Sequence, residues 1–184
     1  TMLDNTIYKE DVVENYKIVT PEAIEEALKT GKLKQTIFGT GCFWSPDSNF
    51  GGRPGVVQTR VGYAGASTLE PSYRDIKGHA EVVRVVYDSD QISYRELLGN
   101  FESWIVHDRK QGQYRQILFV FDREQKQVAE ELIQAIGKEN APEVIEVGEQ
   151  NGTFWAGEDY HQKYRLRRNK TLVSLAEQEF GSRW

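Results

Sequence analysis

The sequence predicts an α+β domain, one mixed β-sheet with helices packed on it, arranged as a ferredoxin-like split βαβ sandwich with extra N- and C-terminal segments. Three observations lead there. VVQTRVGYA, AEVVRVVY and RQILFVF are short, β-branched, apolar runs that read as strands. DREQKQVAEELIQAIGKE has apolar residues at helical spacing. Taken in chain order, the predicted elements run β-α-β-β-α-β, followed by one more helix and one more strand.

Each element has its own signal. Residues 1–18 carry no clear periodicity and are expected to wrap the surface. Thr20 before Pro21 is a helix start, because threonine caps and proline suits the first helical position. PEAIEEALKTGK then predicts a short helix ending near Gly31. QTIFGTG is a β-prone run broken by glycines, and CFWSPDSNF opens a helix directly after it. GVVQTRVGYAG is the next strand, SYRDIKG a turn or short helix, and HAEVVRVVYD the strongest strand of the chain. ISYRELLGNFESWIV has helical spacing, with Ile92, Leu97, Phe101, Trp104 and Ile105 as its apolar stripe. After the strand RQILFVF, the amphipathic helix should turn Val128, Leu132, Ile133 and Ile136 inward. EVIEVGE is the last predicted strand, and residues 158–180 read as helical in two pieces. We expect a single domain over 1–184: an N-terminal extension and helix (1–33), a catalytic core (34–165) and a C-terminal helical tail (166–184).

Composition narrows the function. The chain has 184 residues, with 23 basic against 28 acidic side chains and a net charge of -5, unlike a nucleic-acid binder. No apolar run approaches the roughly 18 residues of a membrane helix. The first residues are polar and acidic, without the basic and apolar regions of a secretion signal, although a mature chain would have lost one. Thr1 ahead of Met2 reads as a cloning scar. A single cysteine allows no intrachain disulfide and fits a reducing compartment, so a cytoplasmic location is expected. Three histidines and one cysteine make a dedicated zinc site unexpected.

Cys42, in GTGCFW, is the candidate nucleophile. Flanking glycines permit a sharp turn and close approach of a substrate. The first turn of a helix presents free N–H groups and partial positive charge, which favours the thiolate. The plainer alternative is a buried, inert cysteine. Phe43 and Trp44 can wall a small apolar pocket beside the sulfur, or simply pack in the core. Glu81 begins a strand of strongly apolar residues, where desolvation would raise its pKa and let it act as a general acid; a solvent-facing residue is the alternative. Tyr63, Tyr73, Tyr114 and Tyr160 lie in glycine-bearing or loop-like contexts and can donate hydrogen bonds without carrying charge.

Seven runs then occur in order: GCFW (41–44), VGYAG (61–65), PSYRDI (71–76), GHAEVVRVVYD (78–88), ISYRELL (92–98), QYR (113–115) and EDYHQKY (158–164). Together they resemble peptide methionine sulfoxide reductase, type A, over roughly residues 35–165. The resemblance implies reduction of methionine S-sulfoxide, free or peptide-bound. Cys42 would attack the sulfoxide sulfur, Phe43 and Trp44 would hold the substrate methyl, and Glu81 would protonate the oxygen. Tyr73 and Tyr114 would bind that oxygen. It implies no cofactor beyond an external thiol reductant, a thioredoxin-like protein or a small thiol, and no nucleic-acid or membrane partner.

The sequence departs from the family pattern in several places. The usual C-terminal resolving cysteines are absent, so recycling must use an external thiol. HDRKQGQYR (107–115) is shorter than the family's loop, and the family's supporting aspartate has no clear match, Asp108 aligning better with an earlier His-Asp. SPDSNF follows GCFW in place of the usual Gly-Ala-Glu, and the tail from Asn169 has no counterpart. Two other functions are compatible with the residues. One is a cysteine hydrolase or acyltransferase with His79, His107 or His161 as base. The other is a non-catalytic member that binds oxidised methionine or a protein partner. Lys163, Arg165, Arg167, Arg168 and Lys170 form a basic cluster that could dock an acidic reductant, or simply be a solvated helix face.

Overall fold

The structure, a computed structural model, describes residues 21–99, 111–148, 152–171 and 174. Helix α1 (Pro21–Lys29) precedes strand β1 (Lys34–Thr40), helix α2 (Trp44–Gly51), and strands β2 (Val56–Ala64) and β3 (Ala80–Tyr87). Helix α3 (Tyr94–Leu98), strand β4 (Gln116–Val120), helix α4 (Arg123–Ile136) and strands β5 (Glu143–Glu146) and β6 (Trp155–Ala156) follow. A 3-10 turn (Asp159–His161) and helix α5 (Tyr164–Arg168) come last.

The strands form one sheet in the order β5-β4-β1-β3-β2-β6. β4 and β5 are parallel, and the other adjacent pairs are antiparallel. The fold is therefore α+β with a mixed sheet. Alternation along β3 serves both faces: Val83, Val85 and Tyr87 join one cluster with Phe38, Phe50, Leu97 and Val128, drawn from β1 and helices α2, α3 and α4. Ala80 and Val82 face the opposite side with Ile37, Ile117 and Phe119, and Val86 meets Ile24 and Ala27 of α1 there. A strand covered on both faces needs apolar residues at every position, which is why the β3 run is nearly continuous.

Helix boundaries follow local chemistry. Ser93 and Glu96 form a complete capping box at the start of α3. Asp122 caps α4 by accepting the Gln125 N–H. Two expectations change. Along α4 the buried residues are Gln125, Val128 and Ala129, with Leu132 only partly buried against the core and Ile133 and Ile136 half-exposed. Gln125 is buried because its amide donates to the Gln35 carbonyl and the Tyr87 hydroxyl and accepts from the Phe121 N–H. Residues 72–78 form bends and turns, one of the two expected alternatives. Strand β6, two residues long, carries no sequence signal; Gly62 permits it, since a side chain there would collide with the Trp155 carbonyl. The predicted residues 1–18, the Thr20 cap, Phe101, Trp104, Ile105, His107, Asp108 and the tail beyond Ser174 lie outside the described residues. No helix among the described residues is long and apolar enough to cross a membrane.

Candidate active site

Cys42 sits between the end of β1 and the start of α2. It is half-buried and outside any disulfide. Gly41 turns the chain there with a φ of 88°, a conformation open to glycine. Phe43 is the N-cap residue of α2, and its side chain is buried against Tyr63. Its backbone N–H donates to Oε2 of Glu81 at 3.1 Å.

Glu81 stands near the start of β3 and is 1% exposed. Its second oxygen, Oε1, accepts from the Gln113 amide at 2.9 Å. The Glu81 N–H donates to the Gln113 carbonyl, so one residue brackets the carboxyl group from backbone and side chain. Burial raises the pKa of Glu81 above the usual carboxylate range, against the opposing effect of its two hydrogen bonds. The carboxyl group is thus biased toward its protonated form beside the turn that carries Cys42.

Tyr73 and Tyr114 stand at the mouth, 38% and 39% exposed. The Tyr73 phenol is held above its ordinary range, first by desolvation and then by its neighbours Tyr114, Glu81 and Cys42. The structure thus brings Cys42, Glu81, Tyr73 and Tyr114 into one cluster from four separate segments. Glu158 braces it: Oε1 accepts the Tyr73 N–H at 2.9 Å and Oε2 accepts the Tyr63 hydroxyl at 2.6 Å. Glu158 is held below the usual carboxylate range: burial, the largest effect, pushes its pKa upward, and the hydrogen bonds from Tyr63 and Tyr73 outweigh it.

Trp44 begins α2 and stacks on Tyr164 at 3.9 Å with 10° between the planes. Its indole N–H donates to Nδ1 of His161 at 3.1 Å. Of the other histidines, His79 is buried, with Nε2 2.9 Å from the Thr68 carbonyl, and His107 lies outside the described residues. Tyr160 is exposed and packs on His161.

The segment 158–164 is seated on the sheet by buried polar contacts. The side-chain amide of Gln162 accepts the Val61 N–H and donates to the Val61 and Gly157 carbonyls, imitating a neighbouring strand beside β2. Lys163 corrects an expectation. It does not belong to the surface basic cluster: it is 1% exposed and donates to Asp47 at 2.7 Å and to both oxygens of Thr59. Asp47 also accepts the Lys163 N–H and the Thr59 hydroxyl, which satisfies a buried charge that would otherwise be costly. Arg165, Arg167, Arg168 and Lys170 remain exposed. The sequence reading missed Asp47, Gln113, Glu158 and Tyr164. For Glu158 and Tyr164 the local signal was the density of polar and aromatic residues in EDYHQKY.

No group of three or more histidine, cysteine, aspartate or glutamate residues among the described residues could hold a metal ion. Cys42, the buried carboxyl group of Glu81 and the phenols of Tyr73 and Tyr114 are the reactive groups that the fold gathers here. The chain matches the family model described as "Peptide methionine sulfoxide reductase" over residues 34–182. It is 42% identical to the peptide methionine sulfoxide reductase MsrA of Methanoculleus marisnigri over 153 residues, covering 74% of this chain and 91% of that protein. It is 41% identical to MsrA of Deinococcus radiodurans, covering 71% and 70%. Methionine sulfoxide reductase A of Corynebacterium diphtheriae superposes with a TM-score of 0.59 at 28% identity, covering 75% of this chain and 76% of that one. The chain belongs to the MsrA-type peptide methionine sulfoxide reductase family, and its activity is the reduction of peptide-methionine (S)-S-oxide.

Proposed function

We propose that Cys42 is the nucleophile of this reduction, Glu81 its general acid, Tyr73 and Tyr114 the phenols that bind the sulfoxide oxygen, and Phe43 and Trp44 the wall for the substrate methyl. The observation that carries this reading is the buried Glu81 carboxyl hydrogen-bonded to the residue after Cys42, with its pKa raised by burial. A sulfoxide sulfur is a poor electrophile until its oxygen takes a proton. Glu81 supplies that proton while the Cys42 sulfur attacks. The attack forms a bond between the two sulfurs; the oxygen then moves to the Cys42 sulfur as the S–O bond to methionine and the transient S–S bond break, leaving Cys42 as sulfenic acid and releasing methionine. One sulfur is oxidised by two electrons and the other is reduced by two.

With one cysteine in the chain, the sulfenic acid is released by an outside thiol. The first thiol forms a mixed disulfide and water, and a second thiol frees Cys42. A thioredoxin-like dithiol or a small thiol meets this need, no prosthetic cofactor takes part, and a reducing cytoplasm suits the cycle.

Two structural readings accompany this one. The central strands, in the order β4-β1-β3-β2, form a split βαβ unit, supported by β1 and β2 both lying antiparallel to the β3 between them. Residues 34–165 are the catalytic core of a single domain, supported by site residues drawn from β1 through the 3-10 turn. The test of the function is turnover of peptide-bound methionine S-sulfoxide with dithiothreitol. Wild type should reduce the S epimer, and Cys42→Ser should not, because a hydroxyl is far less nucleophilic than a thiolate. Equal turnover by the two would remove Cys42 from the chemistry.

A further inference from the structure

We propose that His161 is a positioning residue for this reaction: its imidazole, unprotonated at Nδ1, accepts the indole N–H of Trp44 and so fixes the aromatic wall on which the sulfoxide methyl rests. The proposal deepens the reading of Trp44 as that wall and rests on it.

The geometry allows one assignment of the ring. An indole N–H only donates, so Nδ1, 3.1 Å away, must offer its lone pair. The proton of the neutral ring is then on Nε2. That atom is buried and has no hydrogen-bond partner among the described residues. The nearest carboxylate oxygen is Oε2 of Glu158 at 4.0 Å, already engaged by the Tyr63 hydroxyl. His161 is 2% exposed and packed among aromatic rings: Tyr160 at 4.1 Å, Tyr73 at 4.5 Å, Phe43 at 5.1 Å and Trp44 at 5.8 Å between centroids.

Two restraints act on Trp44, and they differ in kind. Stacking on Tyr164, itself covered by the Arg168 guanidinium at 4.1 Å, sets the plane of the indole but tolerates sliding within it. The hydrogen bond to His161 is directional and fixes the in-plane rotation. Protonation at Nδ1 would set an N–H against an N–H, removing that restraint and replacing it with repulsion.

The titratable groups facing the ring are few. Glu158 and Tyr160 come from its own turn and Tyr73 from the loop before β3. From the α2 side come Phe43 and Trp44, neither of which titrates. Lys163, two residues on, is committed to Asp47. Desolvation holds the imidazole below the ordinary histidine range, with Glu158 opposing it. The neutral ring therefore persists into mildly acidic solution, and its loss should weaken substrate binding as pH falls further. A restraint on the binding wall, as distinct from the reacting atoms, changes KM more than kcat.

The test combines kcat and KM for methionine S-sulfoxide from pH 4.5 to 8 with the indole N–H resonance of Trp44, assigned with Trp44→Phe. Wild type should show the resonance moving with pH, at a midpoint below the usual histidine value, and KM rising over the same interval. His161→Leu should raise KM at every pH by roughly two- to tenfold, the worth of one hydrogen bond. His161→Asn places a carbonyl oxygen near the Nδ1 position and cannot titrate. It should restore KM toward wild type and abolish its pH dependence. Alkylation of Cys42 in each variant reports on the folded site. A resonance that ignores pH, or a KM profile shared by wild type, Leu and Asn, overturns the proposal. If Trp44→Ala raises KM while His161→Leu does not, the wall stands and the role of His161 alone falls. If Trp44→Ala leaves KM unchanged, the wall itself is wrong, and the positioning role falls with it.

Discussion

The carboxyl group of Glu81 and the backbone N–H of Phe43 meet at 3.1 Å across 38 residues of sequence. The bond ties the start of β3 to the turn that carries Cys42, so the acid and the thiol are placed by one contact. Replacing Glu81 with Gln keeps a hydrogen-bonding group but removes the transferable proton. Single-turnover formation of sulfenic acid should slow by roughly 10²–10⁴-fold, the usual worth of a general acid. Rapid quenching with mass detection measures it, and a rate within about threefold of wild type would exclude the acid role.

The raised pKa of Glu81 also has a consequence for stability. Its folded pKa lies above the unfolded value of 4.5. Folding therefore favours the protonated form. That contribution is complete below the unfolded pKa and is lost as pH rises through the folded one. Glu81→Gln cannot ionise, so its melting temperature relative to wild type should rise between pH 4 and pH 8, on top of the pH-independent cost of setting an amide N–H against one of the two donors. Thermal denaturation at the two pH values checks the sign.

Asp47 and Lys163 are each 1% exposed and bonded at 2.7 Å. Removing one partner strands the other charge in the interior, at a cost of about 3–5 kcal/mol. Lys163→Met should lower stability by about that amount in urea denaturation. It should also weaken sulfoxide binding, because Lys163 fastens the segment that carries Glu158 and His161. Arg165→Met, at an exposed position of α5, should change stability by less than about 0.5 kcal/mol.

Trp44 stacks on Tyr164 and is assigned to the methyl of the substrate. Trp44→Ala should mainly raise KM while alkylation of Cys42 stays rapid. An unchanged KM in steady-state assays would end that assignment.

Much of the fold was legible because its signals are local. The apolar runs of β2, β3 and β4 marked the strands, and the junction of QTIFGTG with CFW placed Cys42 between a strand and a helix. Glu81 was legible in part: its place at the head of an apolar strand allowed either burial or a solvent-facing position, and the structure buries it. What stayed hidden depends on contacts distant in sequence. Gln162 reaches Val61 across 101 residues and Lys163 reaches Asp47 across 116. Lys163 lies in a run of arginines, and only its partner on α2 distinguishes it from a solvated face. Glu158 and Tyr164 lay within a recognised motif, but their work is to hold Tyr73 and Trp44, which local pattern cannot specify.

The most direct test of the account is the mass of the enzyme after treatment with one equivalent of methionine S-sulfoxide in the absence of reductant. The chain holds one cysteine, so no internal disulfide can consume the sulfenic acid. The account predicts one equivalent of methionine released, a gain of one oxygen located on Cys42, trapping by dimedone, and return to the original mass on addition of dithiothreitol. Unmodified enzyme with no methionine formed would contradict it.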